Sequence, residues 1–105
     1  MSNVVFFNTY ELNKGASVPD FLAATESLVN DHVSKQKGYL SFRLLAEGDK
    51  WADYAIFETP GDLNAFLESS EHNTNELADR FYSFLNFDTC VSKIYTVEKS
   101  HSIGG

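Results

Sequence analysis

The chain has little cysteine and little basic charge. Its single cysteine, Cys90, cannot form a disulfide within the chain, and a lone thiol provides no metal-ligand spacing. Only 8 Lys and Arg residues stand against 15 Asp and Glu residues, for a formal net charge of -7. Nucleic-acid binding depends on basic side chains that neutralise phosphates, and anionic membranes repel an acidic protein. We therefore expect no nucleic-acid and no membrane partner, and the lone thiol favours a reducing cytoplasm.

Long apolar runs are also missing. The apolar start, Val4 to Phe7, is shorter than the apolar region of a signal peptide, and no basic stretch precedes it. No uncharged run approaches the roughly 20 residues needed to cross a bilayer. The chain has no Gly-rich phosphate loop, no His or Cys metal spacing and no nucleophile motif. We expect neither a cofactor nor a metal. The acidic group Glu47, Asp49 and Asp53 could hold a hard cation, but we interpret it as a solvated turn.

The pattern of the remaining sequence predicts one α+β domain. A length of 105 residues with 43% hydrophobic and 14% aromatic content suits one packed core. Strand and helix patterns alternate as strand, helix, strand, strand, split helix, strand, which is the split βαβ order of ferredoxin-like domains. Right-handed crossovers then place the helices on one face of a four-stranded antiparallel sheet. The predicted domain covers residues 1–99, and residues 100–105 are predicted to form a flexible C-terminal tail.

Short local signals set the predicted boundaries. Ser17 can cap the first helix, which Gly38 would stop, and Thr59 with Pro60 begins the second helical stretch. A break at residues 69–74 splits that stretch, and helical spacing resumes through Leu85. The predicted strands run from Val4 to Leu12, Leu40 to Leu44, Trp51 to Glu58 and Thr89 to Val97, with a hairpin turn at residues 47–50.

The strand sequences are apolar on both faces. Val4 and Phe6 alternate with Val5 and Phe7 in the first strand, and the third and fourth strands show the same pattern. Helices cover one face only, and an uncovered face should be polar at every second position. The simplest second cover is the sheet of another copy, so we expect a homodimer with two-fold symmetry. A monomer with a partly hydrophobic sheet face is the alternative.

Several segments resemble the antibiotic biosynthesis monooxygenase-like family. They are the run Lys37-Gly38-Tyr39-Leu40-Ser41-Phe42-Arg43-Leu44-Leu45, the strand end Phe57-Glu58-Thr59-Pro60, and Leu63-Asn64-Ala65-Phe66-Leu67-Glu68-Ser69 before His72. The resemblance extends from Val4 to Val97. It implies a dimeric α/β barrel with a pocket between the sheet and the helices of each subunit. Family members include cofactor-independent oxygenases of polycyclic aromatic substrates and haem-degrading enzymes.

The haem-degrading branch can be compared residue by residue. Asn8 matches the pocket asparagine of that branch, whereas the pocket tryptophan falls on Phe66 and the iron-binding histidine on Glu76. Haem iron would then lack an evident axial ligand, with His72 as the only nearby imidazole. The resemblance therefore points away from haem degradation.

Asn8 and His72 are the predicted catalytic residues. Asn8 lies among apolar neighbours on a strand and could hold a substrate carbonyl or satisfy backbone groups. His72, at the break between helical segments, could act as an acid or base near neutral pH, or be a solvated loop residue or helix cap.

Six further residues are predicted to contact a ligand. His32 could orient one, or bond a backbone carbonyl at the core edge. Arg43 could bind a ligand carboxylate, or pair with Glu47, Glu58 or another carboxylate within the chain or between chains. The aromatic candidates could bind a flat ligand or simply pack in the core. The six are His32, Phe42, Arg43, Trp51, Tyr54 and Phe66.

Three functional hypotheses follow. The leading one is a homodimeric cofactor-independent monooxygenase, whose substrate carbanion reduces oxygen while Asn8 and nearby side chains orient it. The second is a non-catalytic binder or carrier of a fatty-acid-like or aromatic molecule. The third is a structural protein whose cleft between helices and sheet is filled by Phe side chains, and a sizeable cavity there would exclude it.

Overall fold

The computed structural model describes residues 2–101 of the chain, and this part contains four strands and four helices. A 3-10 turn at Val33–Lys35 follows the first helix. The strands are β1 (Val4–Leu12), β2 (Tyr39–Glu47), β3 (Lys50–Phe57) and β4 (Leu85–Thr96), and the helices are α1 (Val18–Asp31), α2 (Pro60–Glu68), α3 (Ser70–Asn73) and α4 (Glu76–Tyr82).

The four strands form one sheet with the order β2-β3-β1-β4, and every neighbouring pair is antiparallel. Residues of one parity, among them Val4 and Tyr10 in β1 and Ala55 and Phe57 in β3, are buried on the face that the helices cover. The alternate residues form the other face, which we call the free face. The predicted ferredoxin-like α+β fold is thus confirmed.

Local signals act as their chemistry predicts. The Ser17 hydroxyl accepts a hydrogen bond from the Asp20 backbone N–H at 3.3 Å, and the Thr59 hydroxyl accepts one from the Asp62 N–H at 3.1 Å. Each cap satisfies a donor that the first turn of its helix leaves free. Gly48, with a φ of 60°, begins the two-residue loop between β2 and β3, where a hairpin needs a positive φ.

Two predicted helix ends were wrong. Helix α1 ends at Asp31 rather than near Gly38, because His32 leaves the helical conformation and the 3-10 turn continues the chain. Leu85 fits helical spacing but begins β4, four residues before the predicted strand start, and pairs with Leu12 of β1. Spacing alone cannot distinguish these states for a short apolar run, and strand pairing decides. The break at residues 69–74 also contains the short helix α3.

An aromatic cluster fastens α1 to the sheet. The fully buried ring of Phe21 lies 5.2 Å from the Trp51 ring, 5.4 Å from the Phe81 ring and 5.8 Å from the Phe84 ring, measured between centroids. This cluster fills the end of the helix-sheet interface near the β2-β3 hairpin.

Gly38 is required by both its backbone and its surroundings. Its φ is +83°, and an added Cβ would lie 2.7 Å from the Cβ of Asp62. Gly15 has a similar φ of +81° but no atom within 4 Å of an added Cβ. We expect Gly38→Ala to lower the free energy of unfolding in urea by about 1–3 kcal/mol more than Gly15→Ala, because only the first change adds overpacking. Equal losses in the two variants would contradict this assignment.

The structure describes only the first two residues of the predicted tail. Ser100 and His101 are exposed and lie outside the regular elements, whereas residues 102–105 are outside the described residues. No helix within residues 2–101 combines the length and the apolar character needed to span a bilayer.

Candidate functional site

A cavity of about 220 Å³ lies between the sheet and the helices. Most of its wall is apolar, and exposed side chains, among them Phe87 at 64% exposure, mark its opening. The Phe side chains therefore do not fill this cleft, contrary to the purely structural hypothesis. The apolar lining consists of Phe6, Leu28, Val33, Phe42, Ala55, Phe66, Phe81, Leu85 and Phe87.

Four polar side chains meet on the sheet side of this cavity. Asn8 of β1 lies opposite Asp53 of β3 in the antiparallel register, and Tyr10 follows two residues after Asn8 on the same face. The Asn8 amide donates to Asp53 Oδ1 at 2.9 Å, and the Tyr10 hydroxyl donates to Asp53 Oδ2 at 2.6 Å. The Ser92 hydroxyl donates to the amide oxygen of Asn8 at 2.5 Å. These bonds fix the orientation of both the amide and the carboxylate.

Asp53 is a buried carboxylate with unusual basicity. It is only 5% exposed, and burial raises its pKa, while the hydrogen bonds from Tyr10 and Asn8 partly oppose that rise. Burial and the neighbouring Asp53 charge raise the pKa of Tyr10, so Tyr10 remains a neutral phenol. Each carboxylate oxygen can accept more than one hydrogen bond, so Asp53 retains lone pairs for a ligand proton. Asp53 is therefore equipped to act as a base.

Two histidines lie edge to edge on the helix side. His72 of α3 lines the cavity, and His32, the residue that caps α1, lies behind it. His32 Nε2 is 3.1 Å from His72 Nδ1, and the ring planes are within 5° of parallel. The residues are 3% and 6% exposed, and the Phe66 ring centroid lies 4.2 Å from that of His72. Burial and the neighbouring His32 lower the pKa of His72, so its imidazole is neutral at physiological pH.

Short capping motifs place His72 in the cavity wall. The Ser69 hydroxyl accepts a hydrogen bond from the His72 backbone N–H at 3.3 Å and so begins α3. The Asn75 side chain then accepts from the backbone N–H groups of Leu77 and Ala78 and begins α4. The chain thus changes direction on both sides of His72, which turns the imidazole inward.

A bulge in β4 shapes the cavity opening. Thr9 pairs with Val91, but Glu11 pairs with Asn86, so β4 carries extra residues opposite Tyr10. The Thr89 hydroxyl accepts from the Glu11 N–H at 2.9 Å and replaces a lost ladder bond. Bulges of this kind redirect side chains beside functional sites. Here the bulged segment brings Phe87 and Cys90 to the cavity, and burial raises the pKa of the Cys90 thiol.

The structure brings some predicted site residues together and separates others. Asn8, His72, Phe42 and Phe66 line the cavity, and His32 supports His72 from behind. His72 is buried rather than solvated, and His32 bonds an imidazole rather than a backbone carbonyl through its ring.

Three predicted ligand contacts lie elsewhere. Trp51 packs on Phe21 at the far end of the interface. Arg43 and Tyr54 face each other across β2 and β3 on the free face, so neither can reach a ligand in this cavity. Arg43 donates to the backbone oxygen of Phe42 at 3.1 Å. Within one chain, the alternative pairing of Arg43 with a carboxylate is not found, since Lys50–Glu11 is the one ion pair within 4 Å among residues 2–101.

Sequence reasoning missed Tyr10 and Asp53 and placed Asp53 in a solvated acidic turn. Asp53 instead has the parity of Trp51, Ala55 and Phe57 and faces the helices. An acid at a core-facing position of an apolar strand was the available signal. No group of three or more His, Cys, Asp or Glu residues is placed to hold a metal ion in the part of the chain that the structure describes.

Haem does not fit these residues. Glu76, the position of the iron-binding histidine in the haem-degrading branch, is exposed at the start of α4. Both ring nitrogens of His72 have partners, with Nδ1 3.1 Å from His32 Nε2 and Nε2 3.4 Å from the Tyr82 hydroxyl. The cavity of about 220 Å³ is also below the roughly 300–1,000 Å³ typical of pockets for drug-sized ligands.

The fold and the cavity together define a ferredoxin-like α+β protein with an apolar pocket between its sheet and its helices. No protein-family model and no curated protein matches the sequence. Solved structures match over almost the whole chain. A variant of SnoaB, a cofactor-independent oxygenase from Streptomyces nogalater, is 14% identical with a TM-score of 0.76, covering 95% of this chain and 97% of that chain.

Two other solved structures show the same architecture. A candidate antibiotic biosynthesis monooxygenase from Chloroflexus aurantiacus is 15% identical, with a TM-score of 0.67 and coverage of 98% of this chain and 100% of that chain. A dimeric ferredoxin-like protein of unknown function from Jannaschia sp. is 11% identical, with a TM-score of 0.70 and coverage of 90% and 99%. The ferredoxin-like α+β fold expected from the resemblance to antibiotic biosynthesis monooxygenases is confirmed, and at these identities the likeness concerns the fold alone.

Proposed function

We propose that this chain is a homodimeric, cofactor-independent oxygenase of small electron-rich phenols, which are aromatic molecules with a hydroxyl on the ring. One observation carries the proposal: a buried carboxylate, Asp53, and a neutral imidazole, His72, both line a mostly apolar cavity. A few convergent polar groups in an apolar pocket are typical of a site that binds and orients a small molecule. The description of SnoaB as a cofactor-independent oxygenase supports the same reaction class.

The size of the cavity limits the substrate. A cavity of about 150 Å³ is enough to hold benzene, and this one measures about 220 Å³. The space therefore suits an aromatic molecule of one or two rings rather than the polycyclic substrates that the family resemblance implies. Phe42 and Phe66 provide aromatic wall on opposite sides, since one belongs to β2 and the other to α2.

Asp53 begins the proposed reaction by taking the substrate hydroxyl proton. The resulting anion is electron-rich at the ring carbon para to its oxygen, and that carbon reduces O₂ and forms a C–O bond. The peroxide anion that results receives this proton from Asp53 and becomes a hydroperoxide. The hydroperoxide then loses hydroxide together with the proton on the same ring carbon, which gives a quinone and water. One O₂ is consumed for each quinone, with one oxygen atom in the product and one in water. Asn8 orients Asp53 and has a second amide hydrogen for the substrate.

A second candidate function is binding without chemistry. In residues 2–101, every buried side-chain nitrogen and oxygen has a hydrogen-bond partner within the protein. A site whose polar groups are already satisfied can hold a fatty-acid-like or aromatic molecule mainly through its apolar wall. That observation favours a carrier or sensor over an enzyme.

The homodimer is proposed from the free face of the sheet. Phe7 stacks on Tyr54 at a ring distance of 6.3 Å and meets Tyr95 edge-on at 6.4 Å, and Val91 and Tyr95 are each 51% exposed. A contiguous apolar patch of this kind marks an interaction surface. The same apolar patch on a second copy of the chain can cover it. Similar folds from Jannaschia sp. and Bacteroides fragilis are described as dimeric. A cytoplasmic location is proposed from the single cysteine.

Oxygen uptake with 1-naphthol tests the enzyme against the carrier. We expect stoichiometric conversion to 1,4-naphthoquinone, with one ¹⁸O atom from ¹⁸O₂ in the product. Asn8→Ala should reduce the rate at least tenfold, whereas Asn64→Ala, the same change at an exposed position of α2, should not. Mass spectrometry of small molecules extracted from the purified protein provides the second measurement. A retained acyl or aromatic compound without any oxygen uptake would support the carrier and contradict the oxygenase.

A further inference from the structure

A series of hydrogen-bonded side chains runs from the surface to the cavity. It begins at Gln36, which follows the 3-10 turn and is half-buried, and continues through His32 and His72 to Tyr82. The Gln36 amide nitrogen lies 3.1 Å from the His32 backbone oxygen and 3.5 Å from His32 Nδ1. Only the last two members line the cavity, so Gln36 and His32 act from behind it.

The donor-to-acceptor direction of this series of hydrogen bonds is fixed at its outer end. A backbone carbonyl can only accept, so the side of the Gln36 amide that faces His32 must be the NH₂ group. The same nitrogen lies 3.5 Å from His32 Nδ1, and because an NH₂ group can only donate, a hydrogen bond at this contact requires Nδ1 to accept and to carry no proton. An imidazole whose Nδ1 carries no proton has its proton on Nε2, so His32 Nε2 donates to His72 Nδ1 across the 3.1 Å contact. His72 is neutral in turn, so its own proton must be on Nε2.

We propose that Gln36 and His32 are positioning residues that fix the tautomer of His72, so that His72 Nε2–H is a hydrogen-bond donor for a carbonyl or phenolate oxygen of the ligand. This inference rests on the proposed function because it assigns a role to His72 in the same cavity. With this tautomer, the Tyr82 hydroxyl, whose oxygen lies 3.4 Å from His72 Nε2, is the acceptor of this hydrogen bond. A ligand oxygen can replace that long contact.

The tautomer of His72 assigns different chemical roles to the two sides of the cavity. A neutral imidazole that holds its proton on the cavity side cannot take a second proton there without becoming charged, and burial opposes that charge. His72 therefore stabilises negative charge on the substrate oxygen, and the base must be Asp53. Opposite roles for two groups in different environments are a common arrangement in acid-base sites.

Long-range ¹H–¹⁵N spectra of the imidazole rings at pH 8.5 test the tautomers directly. We expect both His32 and His72 in the Nε2–H form in the unmodified protein. Gln36→Glu replaces the donor by a carboxylate that can only accept, so the His32 proton should move to Nδ1. The direction of the His32–His72 hydrogen bond should then reverse, which leaves His72 in the Nδ1–H form. Lys35→Gln changes the net charge by the same amount at the neighbouring exposed position and should leave both tautomers unchanged.

An Nδ1–H form of His72 in the unmodified protein would overturn the proposal, and so would an unchanged His72 tautomer in Gln36→Glu. The first measurement needs no variant, so a Gln36→Glu chain that failed to fold would not prevent a decision.

Binding of 1-tetralone and tetralin provides a functional readout, because these two-ring molecules differ only by one carbonyl group. We expect 1-tetralone to bind the unmodified protein about fivefold more tightly, the value of one ordinary hydrogen bond. The preference should disappear in Gln36→Glu and remain in Lys35→Gln. Equal binding of both molecules to the unmodified protein would contradict the donor role. If neither molecule binds, the proposed function is wrong, while the imidazole spectra still decide the tautomer.

Discussion

Asp53→Asn is expected to reduce oxygen uptake with 1-naphthol at least a hundredfold while leaving the protein folded. Removal of a positioned general base typically costs about 10²–10⁴-fold in rate. An amide has nearly the same shape as a carboxylate, and its oxygen can still accept from Tyr10 or Asn8. The comparison of initial rates under saturating 1-naphthol measures the effect on the chemical step.

The stability of the same variant gives an independent readout of the buried charge. Burial raises the pKa of Asp53 in the folded protein, so the folded state binds the proton more tightly than the unfolded chain does. Ionisation of Asp53 therefore opposes folding, starting near the unfolded pKa of about 4 and growing until the pH exceeds the folded pKa. Asp53→Asn has no carboxylate to ionise, so this cost to the free energy of folding is absent. Its free energy of unfolding should rise relative to the unmodified protein as the pH increases from about 4 toward neutrality.

Asp49→Asn is the matched control. Asp49 is the exposed residue of the two-residue loop between β2 and β3, and the change removes the same charge. We expect it to alter neither the rate nor the pH dependence of unfolding. Full oxygen uptake in Asp53→Asn would exclude Asp53 as the base. A stability difference that shrinks toward neutral pH would show that the carboxylate is stabilised, rather than penalised, by its surroundings.

The fold was largely predictable because its signals are local. Caps at Ser17 and Thr59, the hairpin glycine Gly48 and the alternation of β1 each act within a few residues, and all appear where expected. The errors occurred where local patterns were ambiguous. Leu85 fits both a helical face and a strand, and only its pairing with Leu12, far away in sequence, decides.

The candidate site was less predictable because it depends on contacts between distant segments. Asn8 meets Asp53 because β1 and β3 pair in one register, and His72 meets His32 because α3 packs beside the end of α1. Residue type alone suggested Asn8 and His72 but assigned Asp53 to a solvated turn. One further test of register was available in the sequence, since Asp53 shares its parity with Ala55 and Phe57.

Phe7→Asp is expected to convert a homodimer into folded monomers. Phe7 is central on the free face, between Tyr54 on β3 and Tyr95 on β4. Aromatic residues at the centre of an interface commonly contribute at least about 2 kcal/mol each, and a buried unpaired charge adds a further cost. Two-fold symmetry places the change in both copies. The dissociation constant should therefore rise at least about a hundredfold.

The expected mass by light scattering at micromolar concentration is about 23.6 kDa for the unmodified protein, twice the 11.8 kDa of one chain, and 11.8 kDa for Phe7→Asp. Leu22→Asp is the control, because it places the same charge on an apolar side chain that is 45% exposed on α1, away from the sheet. This control should remain a dimer. Because Phe7 faces away from the helix-covered core, the circular dichroism of both variants should match that of the unmodified protein. A folded 11.8 kDa particle from the unmodified chain would mean that the free face needs no cover, and the dimer would have to be abandoned.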